Sequence, residues 1–183
     1  MFADRALGAA LLIRARNAIA AELGLPTQPE PAHPALGTPG ATFVTLTTEG
    51  QLRGCIGSLE ARRSLDADVR ANARAAAFND PRFEPLKEAE WPQLEVEVSQ
   101  LSATVPLGFI DEADALRQLR PGVDGVIFEY RGYRSTFLPQ VWASLPDGGE
   151  FLSQLKRKAG LPGDFWAPEV RLYRYEVEKW TEH

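Results

Sequence analysis

Residues 41–58 read ATFVTLTTEGQLRGCIGS, and this stretch predicts two strands joined by a tight turn. Residues 41–47 and 51–58 are rich in the β-branched and apolar side chains that strands favour. Thr48-Glu49-Gly50 lies between them, and Gly50 can adopt the positive φ that a short turn requires. The stretch therefore predicts an antiparallel hairpin.

Outward from the hairpin, apolar spacing predicts helices and further strands in mixed order. The predicted helices cover residues 3–23, 64–78, 111–119 and 150–159. The predicted strands cover residues 94–101, 126–130, 135–141 and 170–177. Because strand pairs mix with helices without a strict strand-helix-strand rhythm, we expect an α+β fold with a largely antiparallel β-sheet flanked by helices.

The chain length fits one domain. We expect residues 1–183 to form a single domain of two lobes that share a core. Residues 25–40 contain five prolines, a composition that disfavours regular strand pairing. This segment is therefore expected to be an extended connection that is either flexible or laid down across the fold.

Charge and hydropathy exclude several classes of protein. The net charge of −5 argues against non-specific nucleic-acid binding, which requires Lys and Arg to neutralise phosphates. The apolar run near the N-terminus, residues 6–13, is shorter than the roughly 20 residues of a membrane span. It also lacks the basic start and cleavage site of a signal peptide. We therefore expect a cytoplasmic protein that does not enter a membrane.

The single cysteine and two histidines restrict the chemistry further. One cysteine cannot form an intramolecular disulfide, and Cys55 with His33 and His183 cannot build a Cys/His zinc site. A catalytic histidine would have to come from a proline-rich segment or from the last residue, and both are poor positions for a rigid base. Carboxylate metal sites remain possible but have no motif here, and no phosphate loop or dinucleotide motif is found, so no metal and no cofactor is predicted.

The candidate site is the segment of residues 52–58. Glycine weakens a strand unless a bulge is needed or another group approaches the backbone closely, and Gly54 and Gly57 flank Cys55. Strand alternation would place Arg53, Cys55 and Gly57 on one face. The thiol would then lie beside a guanidinium, with room for a ligand.

Two interpretations of Cys55 remain open. Arg53 lies about 7 Å away along the strand, so it would favour a reactive thiolate in a semi-enclosed pocket. Alternatively, Cys55 is a small buried apolar residue packed between glycines, as free cysteines commonly are.

The other polar candidates also have two interpretations each. Glu95 and Glu97 share one face of the strand at residues 94–101, where they could act as acid-base groups or form an ordinary polar face. Arg82 follows Asp80-Pro81 and could bind an anion, or it could brace the turn by pairing with Asp80. Arg63, Arg70 and Arg74 form one helical stripe that could bind phosphate or an acidic partner. A solvated face is favoured, since Asp66 lies on the same stripe and can pair with Arg63 and Arg70.

The segment Leu-Arg-Gly-Cys-Ile-Gly at residues 52–57 resembles the signature of the AMMECR family. Asn-Asp-Pro-Arg-Phe at 79–83 and Ser-Thr-Phe-Leu-Pro-Gln-Val-Trp at 135–142 also resemble its recurring blocks, in order. Further similar blocks cover residues 94–102, 124–126, 151–161 and 173–175. The resemblance thus covers almost the whole chain, although the proline-rich residues 25–40 have no matching motif.

The resemblance implies an α+β fold with a larger antiparallel-sheet lobe and a smaller one. It also implies a loose link to gene systems that contain a Memo-like protein and a radical-SAM protein, the AmmeMemoRadiSam grouping, in which this chain would be component A. It does not imply an established reaction.

Two hypotheses for function follow. The favoured one is a binding or adaptor component, in which the glycine-flanked segment 52–58 holds a partner protein, a peptide or a small anion through Gly54, Gly57, Ser58 and Arg82. The alternative is an enzyme or enzyme-system component. There, Cys55 would be a thiolate nucleophile or substrate carrier that Arg53 tunes, and Glu97 would transfer protons.

Overall fold

The computed structural model describes residues 4–182 and divides into two compact units. In the described chain, unit 1 contains residues 4–101 and 178–182, and unit 2 contains residues 102–177. Each unit combines helices with an antiparallel sheet and has its own cluster of buried hydrophobic residues. The α+β prediction is confirmed, and the prediction of one domain with a shared core stays a prediction.

Unit 1 is a sheet with two helices. The helices are α1 (Arg5–Glu22) and α2 (Leu65–Phe78). The strands are β1 (Pro39–Thr48), β2 (Gln51–Gly57), the short β3 (Arg63–Ser64) and β4 (Leu94–Leu101), and the final strand of the chain completes the sheet. Short 3-10 segments cover Pro34–Gly37 and Glu88–Gln93.

The predicted hairpin is confirmed. Antiparallel strands β1 and β2 are joined by a turn in which both Glu49 and Gly50 have positive φ, 52° and 78°. A two-residue turn of this kind matches the twist of the flanking strands. Strand β4 pairs with the other side of β1 over its whole length, so that β1 lies inside the sheet and β2 at its edge.

Residue alternation decides which face of the sheet is covered. Val44 and Leu46 of β1 and Val96 and Val98 of β4 are fully buried in one cluster with apolar residues of α1 and α2. Both helices therefore lie on the same face. The opposite face carries Thr45, Thr47, Cys55, Glu95 and Glu97, which are half-buried or exposed. These five residues are called the Cys55 face below.

The proline-rich segment is ordered by hydrogen bonds to the helices of unit 1. Asn17 of α1 exchanges two bonds with the backbone of Gln28, at 2.8 and 2.9 Å. Arg14 of α1 donates to the carbonyl of Pro31 at 2.7 Å, and Arg70 of α2 pairs with Glu30. Of the two alternatives for residues 25–40, the structure shows the segment laid down across the helices.

Unit 2 has a four-stranded sheet. Its strands are β5 (Val105–Pro106), β6 (Gly125–Tyr130), β7 (Tyr133–Phe137) and β8 (Arg171–Tyr175), in the order β5-β8-β6-β7. Its helices are α3 (Glu112–Gln118) and α4 (Gly148–Ala159), and a 3-10 segment covers Pro139–Ala143. Apolar residues of both helices and of β6 and β8 form its core.

Two strand predictions in this region need correction. The strand predicted at 135–141 ends at Phe137, because Pro139 has no amide to donate and begins the 3-10 segment. The strand predicted at 170–177 ends at Tyr175, and the chain then forms β9 (Val177–Thr181), which pairs at the far edge of the unit 1 sheet.

None of the helices in residues 4–182 has both the length and the apolar composition that a membrane crossing requires.

Replacing Glu30 with glutamine tests whether its ion pair with Arg70 holds the proline-rich segment in place. Hydrogen bonding to Arg70 lowers the pKa of Glu30 from 4.5 to about 2, with a smaller contribution from Asn17. The carboxylate therefore stabilises the fold fully above pH 4.5, and this stabilisation disappears as the pH falls toward 2. We expect Glu30→Gln to lower the free energy of unfolding by about 1–3 kcal/mol at pH 7.

Urea denaturation of both proteins between pH 3 and pH 7 measures this effect. The difference should be constant above about pH 5 and shrink below pH 4.5, whereas an exposed-glutamate control, Glu22→Gln, should change little at any pH. If Glu30→Gln lowered the free energy of unfolding equally at pH 3 and pH 7, the charge of Glu30 would not be what stabilises the segment.

Candidate functional site

The candidate segment contains a β-bulge that interrupts the expected alternation. Leu46 of β1 lies opposite Gly54, but the next residue, Thr47, lies opposite Leu52. Arg53 is therefore the additional residue of the bulge, and an extra residue of this kind changes the direction of the side chains around it. The expectation that Arg53 and Cys55 share a face through strict period-two geometry is corrected by this register shift.

Arg53 is held by groups that follow α2. Its Nε and Nη2 donate to the two carboxylate oxygens of Glu90 at 2.8 and 3.2 Å, and Nη2 also donates to the carbonyl of Glu84 at 2.7 Å. The Phe83 ring lies 5.8 Å from the guanidinium carbon. Hydrogen bonding to Arg53 lowers the pKa of Glu90, so the positive charge is already compensated within this pair.

Cys55 is half-buried and contacts a hydroxyl. Its Sγ lies 3.3 Å from Oγ1 of Thr45, its neighbour across the β1–β2 pair. Its backbone N–H points away from β1 and donates to Oδ2 of Asp80 at 3.0 Å, while its carbonyl lies 3.5 Å from Nη2 of Arg82. The backbone of Cys55 is thus bound on its outer side by side chains of the turn after α2.

The Asp80–Arg82 pair forms this outer contact. Arg82 donates to Asp80 through its backbone N–H at 3.1 Å and through Nε and Nη2 at 3.0 and 2.8 Å. The Asp80 side chain is 2% exposed, and bonding to Arg82 holds its pKa well below the ordinary value of 3.8. Of the two interpretations of Arg82, the structure shows the brace, and the brace also covers the outer edge of β2.

Glu97 lies in the same row as Cys55 but is not in contact with it. It is opposite Thr45 on β4, and Thr45 is opposite Cys55 on β2. Two strand spacings separate Glu97 from Cys55, about 10 Å. Its carboxylate instead lies 3.3 Å from the Thr181 hydroxyl and 3.7 Å from Nζ of Lys179. The structure therefore does not bring this carboxylate to the thiol.

The two glycines are explained by packing inside unit 1. A Cβ at Gly54 would lie 2.1 Å from the carbonyl oxygen of Ala76, so only glycine lets the last turn of α2 approach β2 this closely. A Cβ at Gly57 would lie 2.1 Å from the ring of Phe43. At both glycines, residues of the chain itself occupy the space that a side chain would need.

A family model described as AMMECR1 matches residues 12–180. The chain belongs to the AMMECR1 family. It is 45% identical over 145 residues to a protein of Methanothermobacter thermautotrophicus, a match that covers 76% of this chain and 74% of that protein. It is 39% identical over 140 residues to a protein of Thermotoga maritima, with 75% of each covered.

A solved structure has the same fold as this AMMECR1-family chain. The crystal structure of uncharacterized protein PH0010 from Pyrococcus horikoshii matches with a TM-score of 0.88 and 33% identity. The match covers 100% of this chain and 94% of that one. The expected family resemblance and the α+β architecture are both confirmed.

Ser58 of this AMMECR1-family chain belongs to a buried polar network. Its hydroxyl donates to Oδ1 of Asp68 at 2.7 Å and accepts from the Asn72 amide at 3.1 Å. Asp68 also accepts from the backbone and hydroxyl of Thr42 and from Arg63. Asp68 was not among the residues predicted from the sequence, and this network was missed. The Ser-Leu-Asp-Ala-Asp pattern does not show which aspartate turns inward.

The remaining candidates lie apart from Cys55 or outside the described residues. His33 pairs with Asp4 at 3.1 Å and accepts the Ala35 backbone N–H, an arrangement that caps a 3-10 segment. His183 lies outside the described residues. Within residues 4–182, no three His, Cys, Asp or Glu side chains are grouped so that they could hold a metal ion.

Alanine substitution of the glycines tests the packing explanation in this AMMECR1-family protein. We expect Gly54→Ala to lower the free energy of unfolding by about 1–3 kcal/mol or more, since the clashing atom is backbone. Gly57→Ala should cost less, because the Phe43 ring can shift.

Gly37→Ala is the matched control, since nothing lies within 4 Å of its added Cβ, and its stability should stay within about 0.5 kcal/mol. Midpoints of urea unfolding measure all three variants. A Gly54→Ala protein as stable as Gly37→Ala would show that the space beside Gly54 is free.

Proposed function

We propose that this AMMECR1-family protein is a non-catalytic binding or adaptor component, which takes its partner on the Cys55 face. The observation that carries the proposal is the environment of the thiol. Cys55 is half-buried on the face opposite both helices, and its hydrogen-bond partner is the Thr45 hydroxyl rather than a base. A hydroxyl beside a thiol offers polar contacts to a ligand but no strong proton acceptor.

Candidate bases are engaged elsewhere. The Asp80 carboxylate accepts a hydrogen bond from the backbone N–H of Cys55, and it also accepts from the guanidinium of Arg82. Glu97 is two strands away, and His33 pairs with Asp4. Nucleophilic catalysis needs a base, or another activating group, within hydrogen-bond reach of the nucleophile. This arrangement supports binding over catalysis.

The outer edge of β2 constrains how a partner would bind. An exposed edge strand normally offers free backbone groups to which another strand can add. At Cys55 both backbone groups already face Asp80 and Arg82. Recognition there would therefore use side chains of the Cys55 face, together with the Arg82 guanidinium, which is 55% exposed and can donate to an anionic group of a small ligand or peptide.

The proposed protein partners are the Memo-like and radical-SAM proteins that the family resemblance suggests. The Cys55 face is a half-exposed polar surface of the kind that lines non-obligate interfaces. The acidic net charge supports a protein or small-molecule partner over nucleic acid.

Alkylation of Cys55 tests this surface, because the chain has a single cysteine. Binding to the purified Memo-like and radical-SAM proteins of the same genome is measured by calorimetry. We expect wild type and Cys55→Ser to bind one of them with similar affinity, and wild type treated with iodoacetamide to bind at least about 10-fold more weakly, since the added group covers the face.

The control is Cys55→Ser treated with iodoacetamide, which should bind as the untreated variant does. Full affinity of the alkylated wild type would show that the partner binds elsewhere. No binding of wild type to either protein would remove them as partners.

The enzyme alternative is tested by the rate of labelling. Both arginines are paired, Arg53 with Glu90 and Arg82 with Asp80, but only Arg82 contacts the Cys55 carbonyl. Under the binding proposal, iodoacetamide should label Cys55 at pH 7 no faster than it labels N-acetylcysteine. Labelling at least about 10-fold faster, which slows in Arg82→Gln and not in Arg53→Gln, would instead support a thiolate nucleophile.

A further inference from the structure

Unit 1 contains a cleft that does not include Cys55. It has a volume of about 530 Å³, and its floor is formed by Ala9, Leu12 and Ile13 of α1. Gln28 of the proline-rich segment also lines the cleft, and so does Glu95 at the start of β4, although its side chain belongs to the Cys55 face. This volume falls in the range of small-molecule sites, which are mostly apolar with a few polar groups.

The apolar floor lies at the margin of the face of α1 that packs on the sheet, since Leu12 packs partly against the unit 1 core. Leu7, Leu11 and Ile19 of α1 are buried in the core of unit 1, while Leu12 and Ile13 remain half-buried. A helix with apolar side chains beyond its core-facing side has apolar surface that a ligand can cover. The floor therefore favours an aliphatic group.

The arginine in the cleft is already neutralised. Nε and Nη2 of Arg16 bind the two oxygens of Glu182 at 2.5 and 2.9 Å, and Nη2 also donates to the carbonyl of Leu94 at 2.6 Å. The Trp91 ring lies 4.6 Å from its guanidinium carbon. Glu182 also accepts the backbone N–H of Val96 at 2.9 Å. This pair contributes no net charge to the cleft.

Glu95 contributes one uncompensated negative charge to the cleft. Its side chain is exposed, and within residues 4–182 no ion pair or hydrogen bond engages its carboxylate. The adjacent glutamate on the same face, Glu97, by contrast pairs with Lys179. An apolar floor beside one free carboxylate is complementary to a molecule with an aliphatic body and a cationic end.

We propose that this cleft binds a small aliphatic primary amine. The aliphatic chain covers Leu12 and Ile13, and the ammonium group donates to the Glu95 carboxylate. The inference does not rest on the Cys55 face, since the cleft and that face have only Glu95 in common.

Titration with n-hexylammonium, hexan-1-ol and hexanoate tests the proposal, because the three probes share an apolar chain and differ in charge. Amide shifts in NMR spectra of the full chain at low salt report binding. We expect hexylammonium to bind saturably with a dissociation constant of millimolar order. It should bind at least about 5-fold more tightly than hexan-1-ol, hexanoate should bind most weakly, and the shifts should lie in α1 and at the start of β4.

Two variants separate charge from apolar contact. Glu95→Gln should weaken hexylammonium to the affinity of hexan-1-ol and leave hexan-1-ol unchanged, whereas Ile13→Ser should weaken both. Glu22→Gln, which removes an exposed glutamate at the end of α1, should change neither.

Three results would overturn the proposal: no saturable binding of hexylammonium, equal or tighter binding of hexanoate, or an unchanged preference for the amine in Glu95→Gln. Tighter binding of the peptide acetyl-Leu-Lys-Leu-amide than of hexylammonium would overturn the assignment to a free small molecule.

Discussion

The carboxylate of Asp80 fixes the position of the candidate strand. It accepts the backbone N–H of Cys55 at the outer edge of β2, the edge strand of the described sheet, and at the same time it binds Arg82 through backbone and guanidinium. A buried carboxylate is costly unless its charge is paired and its oxygens accept hydrogen bonds. Here the pairing and the backbone contact come from one turn, so a strand edge that would otherwise be unpaired becomes a defined surface.

Gly54 and Asp80 both depend on the close approach of α2 to β2. The missing side chain at Gly54 lets the carbonyl of Ala76, in the last turn of α2, approach β2, and α2 ends two residues later at Phe78. Asp80 follows directly and is thus already beside Cys55 when the chain turns. A side chain at position 54 would push α2 outward and carry Asp80 away from the strand that it caps.

Patterns within single segments were sufficient to predict most helices and strands. The contacts between segments could not be predicted from those patterns. The alternation of residues 94–101 predicts β4, and Gly50 predicts the hairpin turn, because both depend on local geometry. The bulge at Arg53 depends on how β2 aligns with β1, and no spacing within β2 reveals it. The distance between Cys55 and Glu97 likewise depends on strand order, which places β1 between them.

Buried charge was the other feature that local patterns did not predict. Asp68 occupies an ordinary position for a helix N-terminal acid, yet it is buried and accepts from Thr42, Ser58, Arg63 and Asn72. Its inward orientation depends on polar partners from β1 and from the residues around β2, which only the assembled sheet brings together. Sequence position alone therefore cannot separate a helix-capping acid from the centre of a buried network.

Local pairing of charges also determines what kind of recognition the Cys55 region can perform. Arg82 is exposed, but its charge is balanced by Asp80 at hydrogen-bond distance, and Arg53 is balanced by Glu90 in the same way. A distant anion therefore experiences little net attraction, particularly from a chain of net charge −5. A partner of the proposed kind would bind this region through directed hydrogen bonds and shape complementarity at short range, since those contacts do not require an unbalanced field. Such a surface would select by fit after encounter, as the proposed binding role requires.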